Sequence, residues 1–250
     1  MCNAPAGILT WLLAMANSYK ARGFTQIMKL VPTGSTLLDN FLGGFEPDAI
    51  TTIYGPAGSG KTNIALLAAA SVVKRGKKVI YLDTEGGFSV TRLEQIVKDH
   101  KKIMSKIMFL SPTTFDEQVQ AFRKLKALMR SKSSAKIGMV IVDTIGMLYR
   151  LERKFGEGTF HQELGLQITT LNEICRKKQI PVIVCNQVYK GFDMQKGDMV
   201  GGDIVRYASK CLIELEALHG GKRRIILRKH RSMPEKDGLF RITATGIEEV

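Results

Sequence analysis

Apolar residues fall in short, nearly unbroken runs along this chain: AITTIYG at 49–55, KKVIYLD at 77–83, KIMFLSP at 106–112, IGMVIVD at 137–143 and PVIVCNQ at 181–187. Each run has strand length, and none alternates apolar with polar, so each reads as a strand covered on both faces. Helical segments separate them. PTGSTLLDNFLGG reads as a short helix with Thr33 or Ser35 at its start and Gly43 and Gly44 at its end. TNIALLAAASVVKRG runs helically from Thr62 to a terminating Gly76, a helix follows near 89–101, Thr114 and Glu117 open another with a capping-box pattern, and a fourth lies near 160–178. Strands alternating with helices predict an α/β fold with a mostly parallel sheet covered by helices on both faces.

The last third changes character. CLIELEALHGGKRRIILRKH reads as two β-rich runs around a turn at Gly220 and Gly221, and LFRITATGI adds one further strand. These predict antiparallel C-terminal strands extending the parallel sheet.

Composition narrows the picture. A chain of 250 residues, 44% apolar, buries one sizeable core and shows no linker-like stretch after residue 35, so one domain is expected. The alternation begins after Met28, which makes 28–250 the core and 1–27 an N-terminal extension, added upstream if Met28 is the true start. The run ILTWLLAMA at 8–16 is too short for a membrane span and has no basic residues before it. Cys2, Cys175, Cys185 and Cys211 form no CxxC pair and have no ligand-spaced histidines, which excludes a zinc framework and points to reduced thiols in the cytoplasm.

Charge points to a partner. The net charge of +14 and pI near 9.7 favour a polyanion, nucleic acid before membrane. Lysines 98, 101, 102 and 106 read as a solvated helix end. KRRIILRKHR at 222–231 is different, with six Lys or Arg in ten residues and no acid. As a strand, that face calls for an anionic partner, and Arg223, Arg228 and Lys229 are its candidate DNA phosphate contacts.

The sharpest motif is GPAGSGKT, formed by Gly55, Pro56, Ala57, Gly58, Ser59, Gly60, Lys61 and Thr62. Lying between a strand and a helix, it is a P-loop: the glycines let backbone N–H groups and the helix N-terminus meet phosphate oxygens. Lys61 then reaches the β and γ phosphates, and the Thr62 hydroxyl ligates magnesium. YLDTEGGF places Glu85 just past the second strand, where a carboxylate can orient and deprotonate a water for attack on a γ phosphate, with Asp83 as its rival. MVIVD places Asp143 at the equivalent edge of another strand, as a magnesium-holding aspartate.

In order, PTGSTLLDNFLGG, IYGPAGSGKTN, YLDTEGGF, VIVDTIGMLYR, VIVCNQVY, GGDIVRYASK and RITATGI resemble the blocks of the RecA/RadA recombinase family, its archaeal RadB branch above all, over residues 28–247. The resemblance implies a RecA-like P-loop NTPase core that binds ATP and Mg2+ and assists DNA repair by homologous recombination. Glu85 is similar to the family's catalytic glutamate, Asp143 to its metal-holding aspartate, Gln187 to the glutamine that senses the γ phosphate, and Arg92 to the arginine lying against adenine. Segments 151–160 and 188–200 resemble the DNA-facing loops, offering Arg153, Lys154, Lys190 and Lys196. Lys229 and Arg231 resemble a lysine pair that either reaches a neighbouring subunit's ATP or binds DNA. The second loop is short, the 27 residues before the core leave no room for the family's helical domain, and FTQI at 24–27 departs from the family's FxxA docking motif. These departures point to a DNA-associated mediator with at most weak ATP hydrolysis, binding single-stranded rather than double-stranded DNA beside a RadA-type recombinase, with a homo-oligomer as an option. Two other readings remain at this point: an active strand-exchange ATPase, and a KaiC-like signalling ATPase.

Overall fold

The computed structural model describes residues 29–153, 159–189, 198–199 and 201–250. The extension at 1–27, together with Lys154, Lys190 and Lys196, lies outside the described residues, as does the side chain of Arg153.

One sheet organises the chain, in the order β3-β2-β4-β5-β1-β7-β8-β9-β10. The expected runs become β1 (Ile50–Gly55), β2 (Lys78–Asp83), β3 (Ile107–Leu110), β4 (Ile137–Asp143) and β5 (Val182–Tyr189). All pair in parallel, with β7 (Cys211–Ala217) joining β1 on its free side. β8 (Lys222–Lys229), β9 (Lys236–Thr243) and β10 (Gly246–Glu249) then extend the sheet antiparallel, and a two-residue β6 (Asp198–Met199) pairs with β5.

Both faces are covered, which explains the unbroken apolar runs. On β4, Met139 and Ile141 point into one core, with Ile64, Ala65 and Ala68 of α2 (Lys61–Lys74). Val140 and Val142 point into the other, with Phe122 and Leu125 of α5 (Phe115–Arg130) and Leu164 and Leu171 of α7 (Thr159–Lys178). Small residues let α2 lie close: Ala65, Ala68 and Ala69 are fully buried. At the start of α5, Thr114 Oγ1 accepts the Glu117 N–H at 3.2 Å, as the capping pattern required, while the Glu117 carboxylate reaches back to the Thr113 N–H at 2.7 Å.

Three elements depart from expectation. The helix read near 89–101 divides into α3 (Val90–Ile96) and α4 (His100–Met104), because Val97 turns extended (φ −138°, ψ 130°) and buries its β-branched side chain. LFRITATGI is not one strand: it turns between Thr243 and Gly246 and makes the hairpin of β9 and β10. Helices α6 (Met147–Arg153) and α8 (Gly202–Ala208) were not anticipated; each is only two turns long, too short for a periodic signal. The short α1 (Thr36–Leu42) ends as expected, at Gly43 in the left-handed region. Among the described residues no helix is long and apolar enough to cross a membrane.

Candidate nucleotide-binding site

Parallel pairing delivers four strand ends to one edge of the sheet. Gly55 of β1 is in register with Gln187 of β5, and Asp83 of β2 with Asp143 of β4. The P-loop, Glu85, Asp143 and Gln187, far apart in sequence, therefore line one cavity of about 410 Å3 with Thr144, Arg92, Arg223 and Ile242. Carboxyl edges of open α/β sheets are where ligands collect.

The loop is built around its glycines. Gly58 has φ +72°, which side-chain-bearing residues rarely adopt, and a Cβ on Gly55 would stand 2.3 Å from the Leu215 carbonyl oxygen of β7. Lys61, 6% exposed, donates from Nζ to the carbonyls of Gly55 at 2.9 Å and Pro56 at 2.8 Å. Burial pushes its pKa down, opposed by the negative charge of Asp143 and Glu85. Ser59 Oγ is buried without a protein partner among the described residues, a donor free for a ligand oxygen.

Asp143 is 3% exposed, and its Oδ2 accepts the hydroxyls of Thr62 at 2.8 Å and Tyr81 at 2.9 Å. Burial raises its pKa, the two hydroxyls pull it down, and the neighbouring carboxylates Glu85 and Asp83 raise it again. A desolvated carboxylate touching a threonine hydroxyl fits a hard divalent cation that keeps most of its ligands as water and phosphate. Among the described residues no group of three or more His, Cys, Asp or Glu could hold a metal by itself.

Asp83 and Glu85, the two candidate carboxylates, differ in their hydrogen bonding. Asp83 accepts the backbone N–H groups of Glu85, Gly87 and Phe88 at 3.2, 3.1 and 3.0 Å, so it shapes the loop that presents Glu85. Glu85 itself is exposed to the cavity and accepts from Thr144 Oγ1 at 2.7 Å and from the Gln187 amide at 2.9 and 2.7 Å. Thr84 and Thr144 brace the ends of β2 and β4: Thr84 Oγ1 donates to the Thr144 carbonyl at 2.7 Å and accepts its N–H at 3.0 Å. Sequence reading missed Tyr81, Thr84 and Thr144. Their signal was adjacency to Asp83 and Asp143, which register pairing alone makes meaningful.

Arg92 also reaches the cavity wall. Its Nε donates to Asn63 Oδ1 at 2.6 Å, and Nη2 donates to the carbonyls of Thr243 and Gly246 at 2.7 and 3.1 Å. Those bonds use the edges of the guanidinium and tie α3 to the β9–β10 turn.

Three of the cations of the basic run at 222–231 meet carboxylates within the chain. Arg228 Nε donates to Glu214 at 2.6 Å, and Arg224 Nε to Asp237 at 2.9 Å with Glu216 also near. Arg231 Nε donates to Glu46 at 2.6 Å and its other nitrogens to Asp48. Carboxylates on neighbouring segments supply the anionic partners that the window at 222–231 lacked. Lys229 donates to the Arg206 carbonyl at 3.1 Å. Arg223, a candidate DNA contact by sequence, lines the nucleotide cavity with Nε and Nη2 at 3.4 and 3.3 Å from the Gly58 carbonyl. The C-terminal strands thus help to wall the cavity, a role that the sequence did not disclose.

The comparisons agree with this geometry. The Rad51 family profile matches residues 24–250. The DNA repair and recombination protein RadB of Methanobrevibacter smithii is 39% identical over 224 residues, covering 87% of this chain and 94% of that protein. Its namesake from Methanococcoides burtonii is 40% identical over 215 residues, 84% of this chain and 93% of that protein. Among solved structures, a RadB recombinase crystal structure superposes with a TM-score of 0.75 at 36% identity, covering 88% of this chain and all of that one. The chain belongs to the Rad51 family, and its mostly parallel, RecA-like fold is that of the RadB recombinases it matches.

Proposed function

We propose that this protein binds ATP with Mg2+ at the carboxyl edge of its sheet, binds DNA, and assists homologous recombination in the cytoplasm beside a full recombinase. One observation carries the reading: the Thr62–Asp143 pair and the Glu85–Gln187 pair face one cavity floored by the P-loop. Gly58, Gly60, Lys61 and Ser59 would cradle the phosphates, Thr62 and Asp143 would hold the cation, and the Arg92 guanidinium, held by its edges at the cavity wall, would lie against the flat adenine ring. The cation, when bound, neutralises charge on the phosphoryl oxygens.

Glu85 is placed to orient a water and take its proton as that water attacks the terminal phosphoryl group. Two donors fill Oε1, while Oε2 accepts one and retains a lone pair for that water. Gln187 and Thr144 hold the carboxylate in one orientation. The relatives are named for DNA repair and recombination, which favours this reading over a signalling ATPase. DNA contacts from 151–160 and 188–200, including Arg153, Lys154, Lys190 and Lys196, are part of the proposal, as is a preference for single strands. Free, buried Cys175, Cys185 and Cys211 fit a reducing compartment.

The test measures ATP affinity, single-stranded and duplex DNA affinity, and ATP turnover with and without DNA on one preparation. Micromolar ATP binding that needs Mg2+, together with DNA binding, is expected. Absence of either at near-physiological salt would overturn the proposal.

A further inference from the structure

We infer that the amino edge of the sheet, opposite the nucleotide cavity, is a second DNA contact surface that reads the phosphodiester backbone. The inference rests on the proposal that the chain binds DNA, and it begins from a charge imbalance. The net charge is +14, yet in the densest basic run, 222–231, three of the six cations (Arg224, Arg228 and Arg231) are matched by Asp237, Glu214, Glu46 and Asp48. Much of the excess lies elsewhere.

Three turns meet at the amino ends of β2, β4 and β5. The segments 74–78 (KRGKK), 131–137 (SKSSAKI) and 174–180 (ICRKKQI) carry four, two and three Lys or Arg respectively, and no Asp or Glu. Register brings the first two together, Lys78 beside Ile137, and the third follows through the Val140 N–H bond to the Pro181 carbonyl at 3.2 Å. Gly138 permits this closeness, since a Cβ there would stand 2.6 Å from Lys77 Cβ. Side chains stitch the turns: Lys77 Nζ donates to the Ala135 carbonyl at 3.2 Å, and Lys178 Nζ to Ser134 Oγ at 3.1 Å.

Together they enclose an open cavity of about 560 Å3, with an apolar floor that includes Val72, Ile137 and Ile180 and a rim of Arg75, Lys77, Lys177 and Lys178. No carboxylate lines it. Among the ion pairs of the described residues, the one acid meeting these turns is Glu173, on Lys177. Complementing helix dipoles accounts for Lys74 at the end of α2 and for Arg176, Lys177 and Lys178 at the end of α7, but not for Lys77, Lys78 and Lys132, which converge with them. Several flexible cations around a floor without aromatic rings suit a chain of phosphates rather than stacked bases. β2, six residues long, puts this edge about 17 Å from the nucleotide edge. Substitutions on this edge are therefore expected to leave the ATP contacts themselves in place.

The experiment compares two charge-matched quadruple variants of the full chain with the parent. One carries Arg75→Gln, Lys77→Gln, Lys132→Gln and Lys136→Gln; the other carries Arg123→Gln, Lys124→Gln, Lys222→Gln and Arg241→Gln, all exposed positions away from these turns. Affinity for a fluorescent oligo-dT is measured against salt, with ATP affinity and melting temperature as controls. The first variant is expected to bind at least tenfold more weakly, with a log–log salt slope lower by roughly 0.7 for each lost contact. The second is expected to bind within about threefold of the parent. Unchanged affinity in the first variant, or equal loss in both, would overturn the surface. A parent that binds no DNA at all would instead sink the proposed function.

Discussion

The side-chain amide of Gln187 donates to both carboxylate oxygens of Glu85, at 2.9 and 2.7 Å, across the mouth of the nucleotide cavity. A residue near the end of β5 thereby helps to fix the rotamer of a residue on the loop after β2. Gln187→Ala is expected to leave ATP affinity within about threefold while lowering turnover tenfold or more, because the carboxylate loses its orientation. Glu85→Gln should likewise keep ATP binding and remove most of the hydrolysis, since an amide takes no proton. Single-turnover kinetics on both variants decide this. A Glu85→Gln protein that turns over at the parent rate would show that the base lies elsewhere.

Arg223 yields the prediction furthest from the sequence reading. Its guanidinium lines the nucleotide cavity beside Gly58, so Arg223→Ala should weaken ATP binding by about tenfold, in line with ~1.5 kcal/mol for a hydrogen bond to a charged group. DNA affinity should stay within about threefold. Equilibrium titration with a fluorescent ATP analogue gives the first number, and oligonucleotide anisotropy the second. The opposite pattern would return Arg223 to the DNA surface.

Arg231 is expected to matter for stability. It bridges Glu46, whose side chain is 9% exposed, and Asp48, drawing the segment after β8 onto the approach to β1. These two carboxylates hold its pKa well above the ordinary arginine value. Arg231→Ala leaves Glu46 buried without its cation and should cost about 2 kcal/mol, or a melting temperature lower by several degrees. Adding Glu46→Gln should recover part of the loss. Chemical denaturation of the two single variants and the double variant gives the coupling, and a coupling near zero would show that the pair contributes nothing.

The contrast between Arg223 and Asp143 shows what was legible. Asp143 could be placed from sequence because four apolar residues before it fix the strand, and parallel strands of an α/β sheet end at the ligand edge. The P-loop was legible for the same reason, lying between a strand and a helix. Arg223 could not be placed, because its surroundings depend on β8 folding back along β7 so that its side chain meets Gly58, 165 positions away. The same long-range pairing hid Glu214 and Asp237 from Arg228 and Arg224. A local window counts charge along the chain, whereas ion pairing is settled across strands. Tyr81 was hidden differently: it reads as an ordinary strand aromatic until Asp143 is known to stand beside it.

Asp143 carries the last prediction, which concerns pH. Burial raises its pKa above the ordinary carboxylate range, against the pull of the Thr62 and Tyr81 hydroxyls. A carboxyl whose folded pKa is raised contributes stability that is fully present below its unfolded pKa, roughly 3.9, and is lost as pH rises through the folded value. At neutral pH the ionised group is therefore a net cost to folding in the absence of cation. Asp143→Asn removes that cost, and its amide oxygen can still accept both hydroxyls, which meet on Oδ2. Without Mg2+ the variant should melt at a higher temperature than the parent at pH 7, with the difference shrinking as pH falls toward 4. Adding Mg2+ and ATP should reverse the order, because only the parent keeps the carboxylate that a cation needs. Melting curves at pH 4.5 and 7, with and without Mg2+ and ATP, test both halves. If Mg2+ and ATP raise the melting temperature of the Asn variant as much as that of the parent, Asp143 is not the cation's ligand.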